Sequence, residues 1–319
     1  MISEPVLCNY CKVDDATVVF GPGVAQINQI VRCNRCGLMY SNPRTKAPDH
    51  VNLSRADPNF NPLTPGNWRI LKEKIQVRDY DRTRKLLNNL RPERGKLLEV
   101  GCGLGYLLAA FRDDGWDVLG VEPYYQACRY AGAELGIEVK NAILETAEFP
   151  DESFDVVLLN HVIEHIEDPL GTLREVNRVL KPGGHFVIET PRYDTLSFKL
   201  LGRRERSINC GGHIYFFTTQ TLKNLYEAAG FEQVDLRYTG RSLTMERMLW
   251  NVGVVSKSKT VQKALEVLSR KLGLSNVRLY VNFRDVQRAC VKKVSRSSSP
   301  AQKADAGSDV AKQQMAETV

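Results

Sequence analysis

Short apolar runs alternate with amphipathic segments through the middle of the chain. The runs that predict buried β-strands lie at 97–100, 116–121, 138–142, 154–160 and 185–189. The run at 154–160 is apolar almost throughout, which is typical of a strand buried on both faces of a parallel sheet. Helix-forming stretches such as 106–111 separate the runs, so the pattern predicts an α/β fold with a doubly wound sheet.

The C-terminal third predicts a helix at 221–229 and two further strands at 231–238 and 285–294. The segment between these strands, 240–284, is predicted to be a helical insertion. It carries an amphipathic stripe formed by Val261, Ala264, Leu265, Leu268 and Leu272. Twelve Lys and Arg accompany three Asp and Glu across 240–293, whereas the whole chain has a net charge of +7. Such a helix can rest on an anionic membrane, form a dimer face or pack on the sheet.

Three glycines follow the first predicted strand at alternate positions: Gly101, Gly103 and Gly105. A strand, a glycine-rich turn and a helix place backbone N–H groups and a positive helix end beside a ligand. The spacing differs from the dinucleotide fingerprint and from the phosphate-binding P-loop, so we expect no pyrophosphate. Glu122 ends the second strand, roughly 20 residues later, where a carboxylate suits the hydroxyls of a ribose.

The eight cysteines form two groups. Cys8, Cys11, Cys33 and Cys36 make two Cys-x-x-Cys pairs, which predict a tetrahedral zinc site of the ribbon type. Redox pairs and an iron–sulfur site are the alternatives. Four protein ligands leave no open position, so the zinc is predicted to be structural. The other cysteines are scattered, so we expect no disulfide framework.

A polar group follows the strand at 154–160. His161, Glu164 and His165 have the spacing that shares one face of a helical turn, and three such groups can perform proton chemistry. Our hypothesis is that His165 is the general base or orients it, with Glu164 setting its tautomer. The alternative is that Glu164 and His165 only fix the loop by hydrogen bonds. His213 is a second candidate base, and a packing role is the alternative for it.

Five motifs occur in order: LLEVGCGLG, GVEP, FPDESFDVVLLNHVIEHIEDP, LKPGGHFVIETP and HIYFFTTQTLKNLYEAAGF. Together they resemble class I S-adenosylmethionine-dependent methyltransferases, in particular the subgroup of ubiquinone-biosynthesis O-methyltransferases and sugar methyltransferases. The resemblance covers about residues 75–238. It implies S-adenosylmethionine as cofactor and a Rossmann-like, doubly wound, seven-stranded sheet, here preceded by a zinc ribbon.

The resemblance also implies roles for individual residues. Glu99 and the three glycines would line the methionine half of the cofactor, and Glu122 would hold its ribose. Ile143 and Leu144 would flank the adenine, at a position where many relatives carry Asp, and Asn160 would lie next to the sulfonium. Ubiquinone-type relatives carry Glu-x-x-Glu-His where this chain has His161 in place of the first Glu. That motif can hold a divalent cation.

These predictions divide the chain into a zinc ribbon at 1–40, a proline-rich linker at 41–67, a methyltransferase domain at 68–294 and a disordered tail at 295–319. The chain has no run of 18 apolar residues and no basic-then-apolar leader. We therefore expect a cytoplasmic protein, peripheral at the inner membrane face if 240–284 contacts lipid.

The expected function is methylation of a sugar or glycan-type acceptor, at oxygen or carbon, with the acceptor free or linked to a nucleotide or lipid. This choice rests on the cysteine cluster and the loop resemblance. The alternative enzyme is a phenolic or quinone-type O-methyltransferase. The alternative of another class is a zinc-ribbon nucleic-acid adaptor with an inactive methyltransferase fold. Nucleic acid is disfavoured because the ribbon has few basic residues.

Overall fold

The computed structural model describes residues 4–23, 29–44, 78–205, 208, 212–245, 259–273 and 277–294. Most of the predicted linker and the whole predicted tail lie outside these ranges. We call the described residues 4–23 and 29–44 the N-terminal module.

The strands of the described residues are β1 (Ala16–Phe20), β2 (Ile30–Cys33), β3 (Met39–Ser41), β4 (Lys96–Val100), β5 (Asp117–Val121), β6 (Val139–Lys140), β7 (Phe154–Asn160), β8 (Leu180–Pro191), β9 (Tyr215–Phe216), β10 (Phe231–Thr244) and β11 (Arg278–Lys293). The α-helices are α1 (Arg78–Leu90), α2 (Tyr106–Asp113), α3 (Tyr125–Leu135), α4 (Pro169–Val179), α5 (Leu196–Leu201), α6 (Thr219–Ala228) and α7 (Lys259–Lys271). Short 3₁₀ turns occur at Leu144–Thr146, Ile163–His165 and Gly202–Arg204.

Seven strands form one sheet in the order β10-β11-β8-β7-β4-β5-β6. The pairs from β8 through β7, β4 and β5 to β6 are parallel, while β11 is antiparallel to both of its neighbours. The predicted α/β fold with a doubly wound, Rossmann-like seven-stranded sheet is therefore confirmed. The carboxyl ends of β4, β5, β7 and β8 meet at one edge, where the residues expected to bind ligands lie.

The sheet is buried on both faces because its central strands are apolar at consecutive positions. Val156, Val157, Leu158 and Leu159 of β7 are at most 2% exposed. Alternate residues of β7 belong to two separate apolar clusters, one beneath α1 and α2 and the other beneath α4 and α6. The sheet thus holds its strand ends in fixed positions relative to each other.

The last two strands extend further than their apolar runs predict. β10 continues to Thr244 and β11 begins at Arg278, so both ends of the predicted insertion 240–284 belong to a long antiparallel hairpin. Only α7 is described between the two strands. The stripe predicted from periodicity is present on this helix, where Val261, Leu268 and Leu272 are 40–59% exposed.

The N-terminal module is not a separate domain. Its strands form an antiparallel sheet in the order β1-β2-β3-β9. The fourth strand of this sheet, β9, follows β8 along the chain and lies outside the module. Cys8, Leu38 and Tyr40 lie in the same apolar cluster as residues of β7 and α4. Within this sheet, β1 and β2 pair antiparallel, with Ala16 opposite Cys33.

Candidate active site

The turn between β4 and α2 has a left-handed backbone at all three of its glycines, with φ of 70°, 54° and 75°. A Cβ on Gly101 would lie 2.5 Å from Val162 Cγ2, and a Cβ on Gly105 would lie 3.0 Å from Ala131 Cβ. Nothing lies within 4 Å of a Cβ built on Gly103. Packing therefore requires glycine at the first and third positions, whereas the middle position faces open space beside the strand ends.

Glu122 joins the glycine turn to the end of β5. It is 4% exposed; its Oε2 accepts a hydrogen bond from Gly103 N at 2.9 Å, and its Oε1 accepts one from Tyr124 N at 3.0 Å. Burial raises the pKa of this carboxyl to about 7, although the two backbone donors act in the opposite direction. The predicted ribose-binding acid thus lies against the glycine turn.

Two buried oxygens near this turn have no hydrogen-bond partner: Oε2 of Glu99 and Oδ1 of Asn160. Burial, together with the charge of Glu122, raises the pKa of Glu99 well above its usual range. Asn160 lines a small cavity with Leu107 and Glu189. Unpaired buried acceptors are costly unless a ligand supplies donors. The ammonium and hydroxyl groups of S-adenosylmethionine are donors, so these residues fit the cofactor that the resemblance implies.

The pair predicted to flank adenine is divided by the structure. Ile143 is 44% exposed, whereas Leu144 is 1% exposed and packs into the main apolar cluster. The difference arises because Leu144 begins a 3₁₀ turn that directs its side chain inward. Only the side chain of Ile143 is therefore placed to flank a ligand, and the expectation for the side chain of Leu144 is corrected.

The four candidate catalytic residues converge after β7, and we call His161, Glu164, His165 and His213 the histidine cluster. Glu164 is completely buried at its centre. Its Oε2 accepts a hydrogen bond from Thr190 Oγ1 at 2.9 Å. Its Oε1 lies 3.4 Å from Nδ1 of His161 and 4.0 Å from Nε2 of His213. His161, Glu164 and His165 are close because they are neighbours in the chain. His213 joins them because it lies just before β9.

His161 is charged at neutral pH. Desolvation of the ring would lower the pKa of His161, but the interactions with the carboxylates of Glu164 and Glu189 outweigh this effect and raise the pKa to about 9. Its Nε2 lies 3.5 Å from Glu189 Oε1, and 41% of its side chain is exposed. Burial raises the pKa of Glu164, but the hydrogen bond from His161 and the nearby histidine charges result in a lowered value. His161 and Glu164 therefore form an ion pair.

His165, like His161, is exposed, whereas Glu164 and His213 are buried. The Nδ1 of His165 lies 2.9 Å from the carbonyl oxygen of Gly212, which can only accept a hydrogen bond, so Nδ1 carries the proton and Nε2 is the basic nitrogen. Its ring contacts that of His213 edge-to-face, with centroids 4.7 Å apart. The hypothesis that Glu164 sets the tautomer of His165 is therefore wrong: the Gly212 carbonyl sets it.

The cluster also has the donors for a divalent cation. One ligand atom from each of Glu164, His165 and His213 lies within 4.8 Å of the others. His161, which replaces the first acid of the Glu-x-x-Glu-His motif, does not complete this set, because both of its nitrogens face carboxylates.

Three residues of this region were missed in the sequence. Glu189 and Thr190 end β8 and contact His161 and Glu164, and the hydroxyl of Tyr193 lies 3.3 Å from Nδ1 of His213. Glu189 could have been found, because it ends a predicted strand whose parallel neighbour ends at the candidate site. No comparable sequence signal indicates Tyr193.

The second site lies in the N-terminal module and contains the four predicted zinc ligands Cys8, Cys11, Cys33 and Cys36. Their sulfurs lie within 4.8 Å of one another, and those of Cys8 and Cys36 are 3.6 Å apart. Tetrahedral zinc with Zn–S bonds of about 2.3 Å requires sulfur separations of about 3.8 Å. The two turns also match: Lys12 N donates to Cys8 O at 2.8 Å, and Gly37 N donates to Cys33 O at 2.9 Å. This donor set fits zinc.

The similarity of this chain to known proteins lies in the region that forms most of the seven-stranded sheet. A sequence family described as a methyltransferase domain matches residues 69–236. A ubiquinone biosynthesis O-methyltransferase of Ruegeria pomeroyi is 34% identical over 161 residues, which are 47% of this chain and 65% of that protein. A tRNA U34 carboxymethyltransferase of Hydrogenovibrio crunogenus is 30% identical over 187 residues, which are 54% of this chain and 56% of that protein. The chain thus spans between about half and two thirds of the length of these curated relatives.

Among solved structures, one described as a SAM-dependent methyltransferase from Archaeoglobus fulgidus shares 19% identity at a TM-score of 0.46. The alignment covers 71% of this chain and 99% of that one.

Proposed function

The chain belongs to the methyltransferase domain family, and on that premise we propose that it transfers a methyl group from S-adenosylmethionine to an acceptor hydroxyl. One observation carries the proposal. At the end of β7, Asn160 has an unpaired buried oxygen, and the next residue, His161, belongs to the histidine cluster. A donor-binding surface and a proton-accepting group are thus adjacent in the chain and in space.

The donor would bind through residues of the β4 and β5 ends. Gly103 leaves open space and Glu122 lies beneath it, while Glu99 and Asn160 offer acceptors for N–H and O–H groups. Ile143 offers an exposed apolar side chain at the neighbouring edge. When bound, S-adenosylmethionine supplies a methyl group on a positively charged sulfur, which leaves as a neutral thioether.

The acceptor side would be served by His165. Its Nε2 accepts the hydroxyl proton while the acceptor oxygen forms its bond to the methyl carbon, and the Gly212 carbonyl holds the other ring nitrogen throughout. The resulting imidazolium is favoured by the buried carboxylate of Glu164, with which His165 interacts electrostatically. His213, which contacts the face of His165 and the hydroxyl of Tyr193, would orient the base.

A phenolic acceptor is better supported than the sugar acceptor expected from the sequence. The named relatives include ubiquinone biosynthesis O-methyltransferases. The chemistry agrees: a phenol, whose pKa is near 10, transfers its proton to an imidazole more readily than a less acidic sugar hydroxyl does. We therefore propose a phenolic hydroxyl as the acceptor, with a sugar as the second candidate.

The test measures formation of S-adenosylhomocysteine with an alkylated catechol and, separately, with a nucleotide-linked sugar. The variant His165→Ala should lower turnover by about 10²–10⁴-fold, the usual contribution of a general base. Its affinity for S-adenosylhomocysteine should stay within threefold of wild type by calorimetry. His185→Gln, in the middle of β8 and outside the histidine cluster, is the control. Unchanged turnover in His165→Ala would exclude this base, and no binding of S-adenosylhomocysteine by wild type would exclude the function.

We also propose that the four cysteines hold a structural zinc ion, because their geometry and matched turns fit it. Within the described residues no helix has the length and apolarity to cross a membrane. Contact of α7 with a membrane surface stays a proposal, supported by the exposed apolar side chains and the lysines of that helix.

A further inference from the structure

The N-terminal module contacts the two chain segments that carry the histidine cluster. The first contact is made by Asn9, which lies between the two cysteines of the first Cys-x-x-Cys turn. Its Nδ2 donates to Asp168 Oδ1 at 2.6 Å, and its Oδ1 accepts from Leu170 N at 3.0 Å. Asp168 caps α4 by accepting from Gly171 N. Asn9 therefore binds the segment that directly follows Glu164 and His165 in the chain.

The second contact is the pairing of β3 with β9. Ser41 N donates to Ile214 O at 2.9 Å, and Ile214 N donates in turn to the carbonyl of Glu164 at 2.8 Å. Tyr40 pairs with Tyr215 in the same ladder. The backbone that carries His213 is thus held between a strand of the N-terminal module and the turn that carries Glu164.

Two further groups link these contacts. Arg44 donates to the carbonyl of Glu167 at 3.1 Å, and its guanidinium lies over the ring of Tyr215, 5.3 Å from the centroid. The hydroxyl of Tyr215 donates to the same carbonyl at 3.1 Å. On the opposite side, Ile30 and Met39 pack in one apolar cluster with Tyr193, whose hydroxyl contacts His213.

We propose that the metal-bound N-terminal module positions the histidine cluster for proton transfer, with Asn9 as a positioning residue, an inference that rests on the proposed function. The module has few means of keeping its shape without a metal: β1 to β3 comprise five, four and three residues. A module of this size depends on a metal or other covalent closure to stay folded. Loss of the ion would therefore loosen both contacts and let His213 and His165 move apart.

The chain supplies a matched control for Asn9. Asn34 occupies the corresponding place in the second Cys-x-x-Cys turn, but its side chain bonds only within the module, to Asp15 and Thr17. Asn9→Ala and Asn34→Ala therefore remove the same side chain from equivalent turns. Both variants retain all four cysteines, and only Asn9→Ala breaks a contact with the segment that follows Glu164 and His165.

The experiment compares wild type, both variants and the chelator-treated full chain. Amide hydrogen exchange is followed in peptides covering 162–170 and 212–217, and the ring signals of the five histidines are followed by NMR. Asn9→Ala and zinc removal should speed exchange in both peptides about tenfold, since two or more hydrogen bonds are lost. They should also shift the ring signals of His165 and His213. Asn34→Ala should stay within twofold of wild type and leave these signals in place.

Zinc content and affinity for S-adenosylhomocysteine separate this proposal from the proposed function. Both asparagine variants should keep one zinc per chain, and all samples should bind S-adenosylhomocysteine within threefold of wild type, because the glycine turn and Glu122 follow β4 and β5 and are not part of the module. Equal exchange in Asn9→Ala and Asn34→Ala, or no effect of zinc removal on 212–217, would overturn the positioning role. Failure of wild type to bind S-adenosylhomocysteine would instead refute the enzymatic function and leave the exchange result intact.

Discussion

Replacing Glu164 by Gln should lower the pKa of His161 by at least one unit. The amide keeps an oxygen for the Thr190 hydroxyl but removes the buried charge 3.4 Å from Nδ1 of His161. The rise from 6.5 to about 9 corresponds to about 3 kcal/mol at 1.36 kcal/mol per unit. Because 41% of the His161 side chain is exposed, solvent screening reduces its contribution to stability to roughly 1 kcal/mol. Glu189 remains and retains part of the shift.

The assay is an NMR titration of the His161 ring in wild type, Glu164→Gln and Glu189→Gln. Glu189 is 17% exposed at the side chain whereas Glu164 is buried, so Glu189→Gln should lower the pKa less. A His161 pKa in Glu164→Gln within 0.3 unit of wild type, a margin of about 0.4 kcal/mol, would refute the reasoning.

The same ion pair predicts how stability depends on pH. His161 has a raised pKa in the folded protein, so its stabilising effect is complete below 6.5 and is lost as the pH rises through about 9. Glu164 has a lowered pKa, so its effect is present above its unfolded value and is lost in acid. The melting temperature of wild type should therefore fall between pH 6.5 and 9. The fall should be smaller in Glu164→Gln.

Three further results are expected. Gly101→Ala should unfold at a lower temperature than wild type by calorimetry, because its Cβ would meet a side chain at 2.5 Å. Gly103→Ala should fold but lose tenfold or more in affinity for S-adenosylhomocysteine, because its Cβ would enter open space at the site. A destabilised Gly103→Ala together with an unaffected Gly101→Ala would contradict the site. Gly212→Ala places a Cβ 3.1 Å from His165 at a φ of +90°, so it should lower turnover with little change in cofactor affinity, and equal turnover would count against this base. Leu268→Glu on α7 should abolish sedimentation with anionic vesicles at low salt, and wild type that fails to sediment would rule out that surface.

The fold was predictable because its central strands are continuous apolar runs in the sequence. β7 is buried on both faces, and the run at 154–160 coincides with it. The glycine turn was predictable for a related reason, since three closely spaced left-handed positions leave glycine as the residue of low cost. Features of this kind can be predicted because they depend on residues that are consecutive in the sequence.

The long hairpin of β10 and β11 was not predictable from the same signals. Residues 241–244 and 278–281 pair with each other, and neither segment has the continuous apolar run that marks a buried strand. Phe283 and Leu279 are 53% and 44% exposed. Pairing at a sheet edge satisfies the backbone without a continuous apolar run. The signal that was available is the alternation of Leu279, Val281 and Phe283 with Tyr280 and Asn282.

The tautomer of His165 shows where local spacing misleads. Glu164 is adjacent in sequence, and His161 and His165 lie at helical spacing from each other, yet the residue that fixes His165 is Gly212, 47 positions away. It reaches His165 because Ile214 bonds to the turn that carries Glu164 and because β3 pairs with β9. The N-terminal module therefore touches, through β3, the segment that carries the Gly212 carbonyl to the candidate base. A prediction that treats residues 1–40 as an independent ribbon can identify a metal site but has no means of linking it to the chemistry.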